Sequence, residues 1–138
     1  MSLLHAVGAR LKARGSGGIL VVGSMAGYVG QERISVYAAA KAFQRILTEG
    51  LWLELRPHGV DVLHLVLGLT RTPAMERAGM RLEGADDPED VAREGLQQLP
   101  HGPVHVIGGN KVPERLSRFP RDAVVRGFAE MLRGRYEH

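Results

Sequence analysis

The sequence predicts an α/β protein in which a parallel sheet of three strands is flanked by helices on both sides. Three short segments are predicted to be strands: residues 19–22, which are apolar and show no polar alternation, residues 60–67 and residues 103–107. Runs of this kind are typical of strands buried on both faces of a parallel sheet. The segments between them have helical spacing, so the order strand, helix, strand, helix, strand predicts right-handed crossovers between parallel neighbours.

A long helix is predicted over residues 36–56, where Pro57 and Gly59 end it. Gly50 lies inside this helix at a cost of roughly 1 kcal/mol relative to alanine, which indicates a close packing contact. The apolar face is marked by residues at four-residue intervals, namely Phe43, Leu47, Leu51 and Leu55. The other helices are predicted over residues 3–13, 74–80, 87–99 and 113–135, the last interrupted at Pro120.

The composition indicates one globular domain of 138 residues, with apolar and charged fractions of 44% and 24%. Apolar runs such as residues 19–22 and 65–67 are far shorter than the roughly 20 residues of a spanning helix, so no membrane partner is expected. The first 15 residues lack the pattern of a secretory signal. These features favour a cytoplasmic location.

The charge and the residue types also limit the classes of partner and ligand that the chain is expected to bind. The net charge is only +3 and aromatic residues make up 5% of the chain, so a basic stripe with stacking aromatics, and with it nucleic-acid binding, is not expected. The absence of cysteine excludes disulfides and thiolate metal sites. His64 and His105 lie inside predicted strands without a second ligand at a usable spacing, as core or edge histidines do, so no metal is predicted.

Tyr37 and Lys41 lie four residues apart near the start of the long helix, which places both side chains on one face. A free tyrosine has a pKa of about 10, and a cation about 4 Å away favours its phenolate by roughly 4 kcal/mol at an effective dielectric near 20. A phenol activated in this way can exchange a proton with an alcohol or a carbonyl. The same spacing also fits an ordinary surface pair.

Ser24 adds weight to the catalytic interpretation, because it follows the first predicted strand and precedes the helix that contains Tyr37. Sites in open parallel sheets lie at the carboxyl ends of the strands. Met25 and Tyr28 lie close behind this serine in the sequence. They either line a substrate pocket or pack in the core.

Four segments resemble short-chain dehydrogenases/reductases in their order and spacing. They are GILVVGSMAG (residues 18–27), YAAAK (37–41), LELRPHGVDV (53–62) and LGLTRTPAM (67–75). The resemblance covers about residues 1–110 and leaves residues 111–138 as a helical tail. It implies a partial Rossmann-like, doubly wound parallel sheet, and an oxidoreductase that transfers hydride between NAD or NADP and an alcohol or ketone.

The resemblance also implies a role for each residue of the site. Tyr37 is expected to act as the acid/base and Lys41 to lower its pKa and hold the nicotinamide ribose, while Ser24 polarises the substrate oxygen. The protein then supplies positioning, proton transfer and stabilisation of charge on oxygen.

The loop after the second strand is expected to complete the cofactor site. The family has a Pro-Gly pair at its start and a Thr-Pro pair at its end. This chain has Leu67 before Gly68, and Thr72 before Pro73. Gly68, Thr70 and Thr72 are therefore implied to contact the cofactor, the two threonines at its carboxamide, although the missing proline affects the rigidity of the loop.

The family's dinucleotide-binding half is not evident. Gly15, Gly17 and Gly18 precede a strand rather than follow one, so they are predicted to form a turn and not a phosphate cradle. The family also uses an asparagine on the helix before Ser24, whereas the one asparagine here, Asn110, lies beyond the third strand. The chain is therefore expected to hold the catalytic half and to be inactive by itself. The alternative is a non-catalytic remnant that serves as an assembly or interaction module.

Self-association is a further expectation. A sheet that lacks its preceding strands exposes the edge of its first strand, and unpaired edges favour pairing with another chain. A homo-oligomer is predicted through this edge or through the helix at 36–56. The basic helices at 113–135 are expected to cover the core, in preference to binding an acidic membrane surface.

Overall fold

The computed structural model describes residues 2–133 and confirms the α/β class. The strands are β1 (Gly17–Val22), β2 (Val60–Val66) and β3 (Val104–Val106). The helices are α1 (Ser2–Arg14), α2 (Ser35–Leu55), α3 (Pro73–Arg77), α4 (Pro88–Gln98), α5 (Val112–Leu116) and α6 (Arg121–Arg133), and a four-residue 3-10 helix spans Met25–Tyr28. The predicted bounds differ from these by no more than three residues, and residues 134 and 135 of the last predicted helix lie outside the described part of the chain.

The sheet has the order β1-β2-β3, and both pairs are parallel as predicted. β2 is the central strand, and every residue in it except Asp61 is buried. The interpretation of residues 19–22 as a strand buried on both faces is wrong in part. Ile19 is buried, but Val22 is 50% exposed because β1 lies at the edge of the sheet. Gly15, with a positive φ of 73°, turns the chain at the end of α1 as predicted, whereas Gly17 and Gly18 are the first two residues of β1 and not part of the turn.

Two hydrophobic clusters, one on each face of the sheet, hold the helices in place. On one face Ile19, Val60 and Val62 pack against Leu51 and Leu55 of α2, with side chains of α1 around them. On the other face the cluster contains Leu63, Leu65, Val91 and Ile107. Because burying one aliphatic side chain contributes about 1.5–3 kcal/mol, these clusters account for the two helical layers.

The predicted packing face of α2 is correct at one end of the helix and wrong at the other. Leu51 and Leu55 are buried, whereas Phe43 is 53% exposed. An α-helix has 3.6 residues per turn, so each four-residue step advances about 40° around the axis and three steps from Leu55 reach Phe43 about 120° away. The prediction of a close contact at Gly50 is also wrong within this chain, because a Cβ there would meet nothing within 4 Å.

The close contact on α2 lies instead at the 3-10 helix Met25–Tyr28. A Cβ on Gly27 would lie 2.9 Å from the carbonyl carbon of Lys41 and 3.0 Å from the backbone nitrogen of Ala42. Only a glycine allows the two backbones to approach so closely. This contact fixes the start of α2 against the segment that follows β1.

The carboxyl-terminal helix α6 lies over the same segment. Val124 of α6 is buried, and the Arg121 guanidinium donates a hydrogen bond of 2.9 Å to the carbonyl oxygen of Tyr28. Arg133 and Glu32 form an exposed ion pair of 2.7 Å, a kind of contact that contributes little to stability. Within residues 2–133, no helix has both the length and the apolar character that crossing a membrane requires.

The two glycines give opposite predictions for stability. Gly50→Ala removes the entropic cost of a glycine inside a helix and meets no neighbour, so the free energy of unfolding is expected to rise by roughly 1 kcal/mol. Gly27→Ala is expected to lower it, because the new methyl group overlaps the backbone of α2. Urea unfolding at low protein concentration measures both. A Gly50→Ala variant that is no more stable than the parent contradicts the account of α2.

Candidate active site

The candidate site lies at the carboxyl ends of β1 and β2. After β1 ends at Val22, the backbone N–H of Gly23 donates to the carbonyl oxygen of Leu65 at 2.7 Å. Two residues later the N–H of Met25 donates to the carbonyl oxygen of Leu67 at 2.9 Å. Ser24 lies between these two hydrogen bonds, so its backbone is fixed at the end of the sheet.

The hydroxyl group of Ser24 has a defined hydrogen bond. Ser24 has an extended backbone conformation and caps the 3-10 helix Met25–Tyr28, and its Oγ accepts a hydrogen bond of 3.1 Å from the N–H of Ala26. This bond uses a lone pair of the oxygen and leaves the hydroxyl proton free to be donated. The capping role therefore leaves the hydroxyl group of Ser24 able to donate a hydrogen bond.

Tyr37 and Lys41 lie on one face of α2, as predicted. The Nζ atom of Lys41 is 5.7 Å from the centroid of the Tyr37 ring and donates a hydrogen bond of 3.0 Å to the carbonyl oxygen of Val22. The Tyr37 side chain is 48% exposed, which leaves it accessible to a ligand. Because Val22 is the last residue of β1, this hydrogen bond brings the start of α2 to the strand end that leads into Ser24.

The loop after β2 is held by backbone hydrogen bonds to Asp86. The N–H of Arg71 donates to the Asp86 carbonyl oxygen at 2.9 Å, and the N–H of Asp86 donates to the carbonyl oxygen of Leu69 at the same distance. Thr70 and Asp86 thereby form an isolated parallel bridge. The loop is tied in this way although Leu67 stands where the family has proline.

The residues implied to bind the cofactor in this loop differ in their environment. Gly68 is exposed, whereas Thr70 is 8% exposed and its Oγ1 is buried without a hydrogen-bond partner among the described residues. Thr72 caps α3, and its Oγ1 accepts a hydrogen bond of 3.3 Å from the N–H of Met75. A buried polar group without a partner is uncommon, so the Thr70 hydroxyl is the one in this loop that still needs a partner, although almost none of its surface is open to a ligand in this conformation.

His64 is a core histidine, as the sequence predicts, and it contacts the strand end beside Ser24. Its side chain is 1% exposed, and a Cβ on Gly23 would lie 2.2 Å from its Nε2. Burial, and to a smaller extent the charges of Arg45 and Lys41, together lower the pKa of His64 to about 4. The imidazole is therefore neutral at physiological pH. Sequence reasoning missed this contact, for which the only signal was a glycine directly after a strand.

His105, Tyr28 and Met25 each have a structural environment of their own. His105 lies on the short strand β3, and its Nε2 is 2.6 Å from Oε1 of Glu94. Tyr28 stacks beneath the guanidinium of Arg45 at 4.5 Å and lines a cavity between its 3-10 helix and α2. Met25 is partly buried and is not a lining residue of that cavity.

The described residues fit the nicotinamide end of a dinucleotide and not its pyrophosphate. Lys41, Tyr37 and the unpaired hydroxyl of Thr70 come from segments that meet at the carboxyl ends of the strands, where cofactors of parallel sheets bind. Pyrophosphate is bound by a glycine-rich turn between a strand and a long helix. Within residues 2–133, the turn after β1 leads only into the four-residue 3-10 helix, and Gly15 precedes β1.

Residues 1–82 match the short chain dehydrogenase family, and the chain belongs to that family. It is 34% identical over 101 residues to a 7beta-hydroxysteroid dehydrogenase of Clostridium sardiniense. Its fold is similar to a short-chain dehydrogenase of Sphingobium yanoikuyae in complex with NADPH, with a TM-score of 0.70 and 28% identity. It is also similar to the structure of a 7beta-hydroxysteroid dehydrogenase, with a TM-score of 0.79 and 25% identity.

The chain corresponds to part of each of these proteins. The first match covers 70% of this chain and 39% of the Clostridium protein. The structural matches cover 91% and 90% of this chain, but only 50% and 52% of the two proteins compared. The chain thus spans about half the length of these relatives or less.

The buried histidine gives a prediction for stability against pH. The folded-state pKa of His64 is about 4 and the unfolded value is 6.5, so the unfolded state binds the proton first as the pH falls. Its contribution to stability is complete above pH 6.5 and is lost between pH 6.5 and 4. Between pH 7 and pH 5 the loss is expected to be about 2 kcal/mol. Urea unfolding at the two pH values measures it.

The control separates His64 from the other titrating groups. His64→Leu removes the titrating ring and should flatten the pH dependence in this interval, whatever its effect on stability at pH 7. His58→Gln, at an exposed position, should leave the dependence unchanged. An equal slope in the His64→Leu variant and in the parent contradicts the assignment.

Proposed function

We propose that this chain provides the proton-transfer residues of an NAD(P)-dependent oxidoreductase that interconverts an alcohol and a ketone. The observation that carries the proposal is the hydrogen bond of 3.0 Å from Lys41 to the Val22 carbonyl oxygen. It joins the helix that contains Tyr37 to the strand end that leads into Ser24. Membership of the short chain dehydrogenase family supports the same reaction class.

In this proposal Tyr37 is the acid/base. In the direction of reduction its hydroxyl group gives a proton to the carbonyl oxygen of the ketone, and in oxidation the phenolate takes the proton from the alcohol. The positive charge of Lys41 on the same helix face stabilises the negative charge left on the phenol oxygen. Tyr37 is half exposed, so a substrate can reach it.

Ser24 stabilises the charge that develops on the substrate oxygen. Its Oγ already accepts from the N–H of Ala26, which directs the hydroxyl proton to another acceptor. A fixed donor of this kind stabilises an oxyanion without reorganisation during the reaction. Ser24 and Tyr37 then act on the same oxygen atom of the substrate.

A nicotinamide cofactor, when bound, supplies the hydride to the carbonyl carbon or receives it from the alcohol. We propose that Lys41, Tyr37 and Thr70 hold its nicotinamide end, with Thr70 using the hydroxyl that lacks a partner within the described residues. Exposed Gly68 leaves the loop backbone open to the ligand. Thr72 acts indirectly, because its hydroxyl caps α3 and fixes the end of the loop.

We further propose that the pyrophosphate and adenosine of the cofactor require residues other than the 138 of this chain. The chain spans 39% of the Clostridium dehydrogenase and 50% of the NADPH-bound protein, and its described residues fit only the nicotinamide end. The chain alone is therefore proposed to be inactive. Isothermal calorimetry with NADH and NADPH is expected to show no saturable binding, and steady oxidation of either with a test ketone would overturn this proposal.

The catalytic assignment is tested in the longest polypeptide that the gene encodes. Tyr37→Phe removes the proton donor and is expected to lower the turnover of NAD(P)H with a ketone by about 10²–10⁴-fold, the usual contribution of general acid/base catalysis. Ser24→Ala should lower kcat while leaving cofactor binding unchanged. Ser117→Ala is the matched control for Ser24→Ala, since it removes the hydroxyl group of an exposed serine outside the proposed site and should retain activity.

Two results contradict the proposal. The first is a Tyr37→Phe variant with the activity of the parent. The second is a full-length parent that binds neither nicotinamide cofactor, because that result leaves Lys41 and Thr70 without the role given to them here.

A second candidate function is assembly, and it is favoured by the outward face of α2. Four large apolar residues of this helix are strongly exposed: Val36 (83%), Phe43 (53%), Ile46 (58%) and Leu53 (67%). Together with Ala39 and Gly50 they recur at alternating three- and four-residue intervals. This is the spacing of positions a and d in a coiled coil, and we call these six residues the seam.

The seam is self-complementary when a second copy packs against it in antiparallel orientation. Antiparallel helices pair position a with position d, which places Val36 opposite Leu53, Ala39 opposite Gly50, and Phe43 opposite Ile46. Small residues then face small ones and large residues face large ones, and every layer occurs twice about the two-fold axis. The absence of any neighbour within 4 Å of a Cβ on Gly50 leaves room for this approach. We propose that α2 forms a homodimer through the seam.

Charge in the seam is expected to abolish this association. Phe43→Glu buries a carboxylate in the central layer, so the chain should sediment as a monomer at concentrations where the parent is a dimer. Leu96→Glu is the control, because Leu96 is 66% exposed on α4 and lies outside the seam. Sedimentation velocity across a range of concentrations measures both. A parent that stays monomeric, or a Phe43→Glu variant that still dimerises, overturns the proposal.

A further inference from the structure

The cavity that Tyr28 lines lies beside the proposed active site, between the 3-10 helix Met25–Tyr28 and the first half of α2. Its volume is about 410 Å³, within the range of small-ligand sites. Neither Tyr37 nor Lys41 lines it. The lining residues are Ala26, Gly27, Tyr28, Val29, Gly30, Ser35, Ala38, Ala39, Ala42, Arg45 and Arg121.

Two cationic side chains line this cavity, and Glu49, which is not a lining residue, offsets part of the charge of one of them. Its lining includes the guanidinium groups of Arg45 and Arg121 and contains no acidic side chain. Arg121 is held by its hydrogen bond to the Tyr28 carbonyl oxygen at 2.9 Å. Arg45 is held by stacking on the Tyr28 ring at 4.5 Å and by an ion pair of 3.4 Å with Glu49. The two groups are thus fixed at one cavity from distant parts of the chain.

These contacts leave hydrogen-bond donors unused. An arginine has five N–H donors, and the Nε of Arg45 is buried without an acceptor among the described residues. Buried donors without acceptors are uncommon in folded proteins. A ligand rich in acceptor oxygens would instead use the guanidinium N–H donors of Arg45 and Arg121 that remain beside the pair with Glu49 and the bond to Tyr28.

Two further features favour negative charge here. The start of α2, where Ser35 lines the cavity, has no side-chain cap at Ile34, so the first-turn N–H groups and the positive end of the helix dipole are uncompensated by a side chain. Burial raises the pKa of Tyr28, which keeps its phenol protonated as a potential donor.

We propose that this cavity binds a small organic anion, with its carboxylate or phosphate on Arg45 and Arg121 and its apolar body against the alanine side chains of α2. Guanidinium groups bind such oxyanions with paired, charge-assisted hydrogen bonds. Ala38 and Ala42 supply a small apolar wall that leaves space for a hydrocarbon group. The anion site is distinct from the Tyr37 site and lies on another side of the same helix.

The anion site lies between the two elements that position the proposed proton-transfer residues. Gly27 lines the cavity, and a Cβ added to it would lie 2.9 Å from the carbonyl carbon of Lys41. Ser24 caps the 3-10 helix that contains Gly27. A ligand that bridges this 3-10 helix and α2 therefore holds together the two elements that contain Ser24 and Lys41.

The binding test uses three probes on the ¹⁵N-labelled chain. Hexanoate is expected to shift the amide resonances of residues 26–30 and 35–42 and to saturate. Hexanamide, its uncharged counterpart, should bind at least about tenfold more weakly, a difference of about 1.4 kcal/mol. Inorganic phosphate tests whether the apolar body of the ligand contributes to binding. If phosphate binds as tightly as hexanoate, the site recognises the oxyanion alone and the proposed role of the alanine side chains is wrong. Equal affinity for hexanoate and hexanamide overturns the proposal.

Variants locate the site. Arg45→Gln and Arg121→Gln are each expected to weaken hexanoate binding about tenfold or more, while Arg126→Gln, an exposed arginine on α6, leaves it unchanged. Gly30→Leu fills space at the lining without removing charge, since a Cβ there meets nothing within 4 Å, and should also block binding. Unchanged amide resonances in β2 verify the fold of each variant. Parent-like affinity in both arginine variants overturns the proposal.

Discussion

The contact on which the site depends is the close approach of Gly27 to the backbone of Lys41. A side chain at Gly27 would lie 2.9 Å from the Lys41 carbonyl carbon, so the two backbones meet without any side chain between them. From the other direction the Lys41 ammonium reaches the carbonyl oxygen of Val22 at 3.0 Å. These two contacts hold the start of α2 against the segment that contains Ser24. Since protein interiors are close-packed, a change in either contact is expected to move Tyr37 relative to Ser24.

The sheet supports this arrangement through a second matched pair, His64 and Gly23. The imidazole of His64 occupies the space in which a side chain at Gly23 would lie, so the strand end before Ser24 rests on a buried ring. Burial lowers the pKa of His64 to about 4, and the ring therefore adds bulk without adding charge. This neutrality matters because Lys41 and Arg45 are already cationic nearby. A third positive charge in the core would cost several kcal/mol and would repel Lys41 from its hydrogen bond.

The sequence was sufficient for the features that depend on local spacing. Runs of branched apolar residues predicted the strands, and the four-residue spacing of Tyr37 and Lys41 predicted their common helix face, which the 5.7 Å contact confirms. Contacts between distant segments were not predictable in this way. The bridge between Thr70 and Asp86 depends on how a loop folds back, and the exposure of Phe43 depends on which face of α2 meets the sheet. The cavity joins Tyr28, Arg45 and Arg121, which no local pattern connects.

Different sides of the 21-residue helix α2 have different roles. One side, with Thr48 and Leu51, is buried against the sheet, and another places Tyr37 and Lys41 at the strand ends. On the proposals above, the remaining surface binds a second copy and an anion. Ala39 belongs both to the seam and to the lining of the anion cavity, so a second copy on the seam changes the surroundings of a bound anion. Binding at two sites that share a wall is coupled, and linkage requires that each ligand change the affinity of the other by the same factor. Dimerisation and anion binding are therefore properties of one helix and are expected to change together.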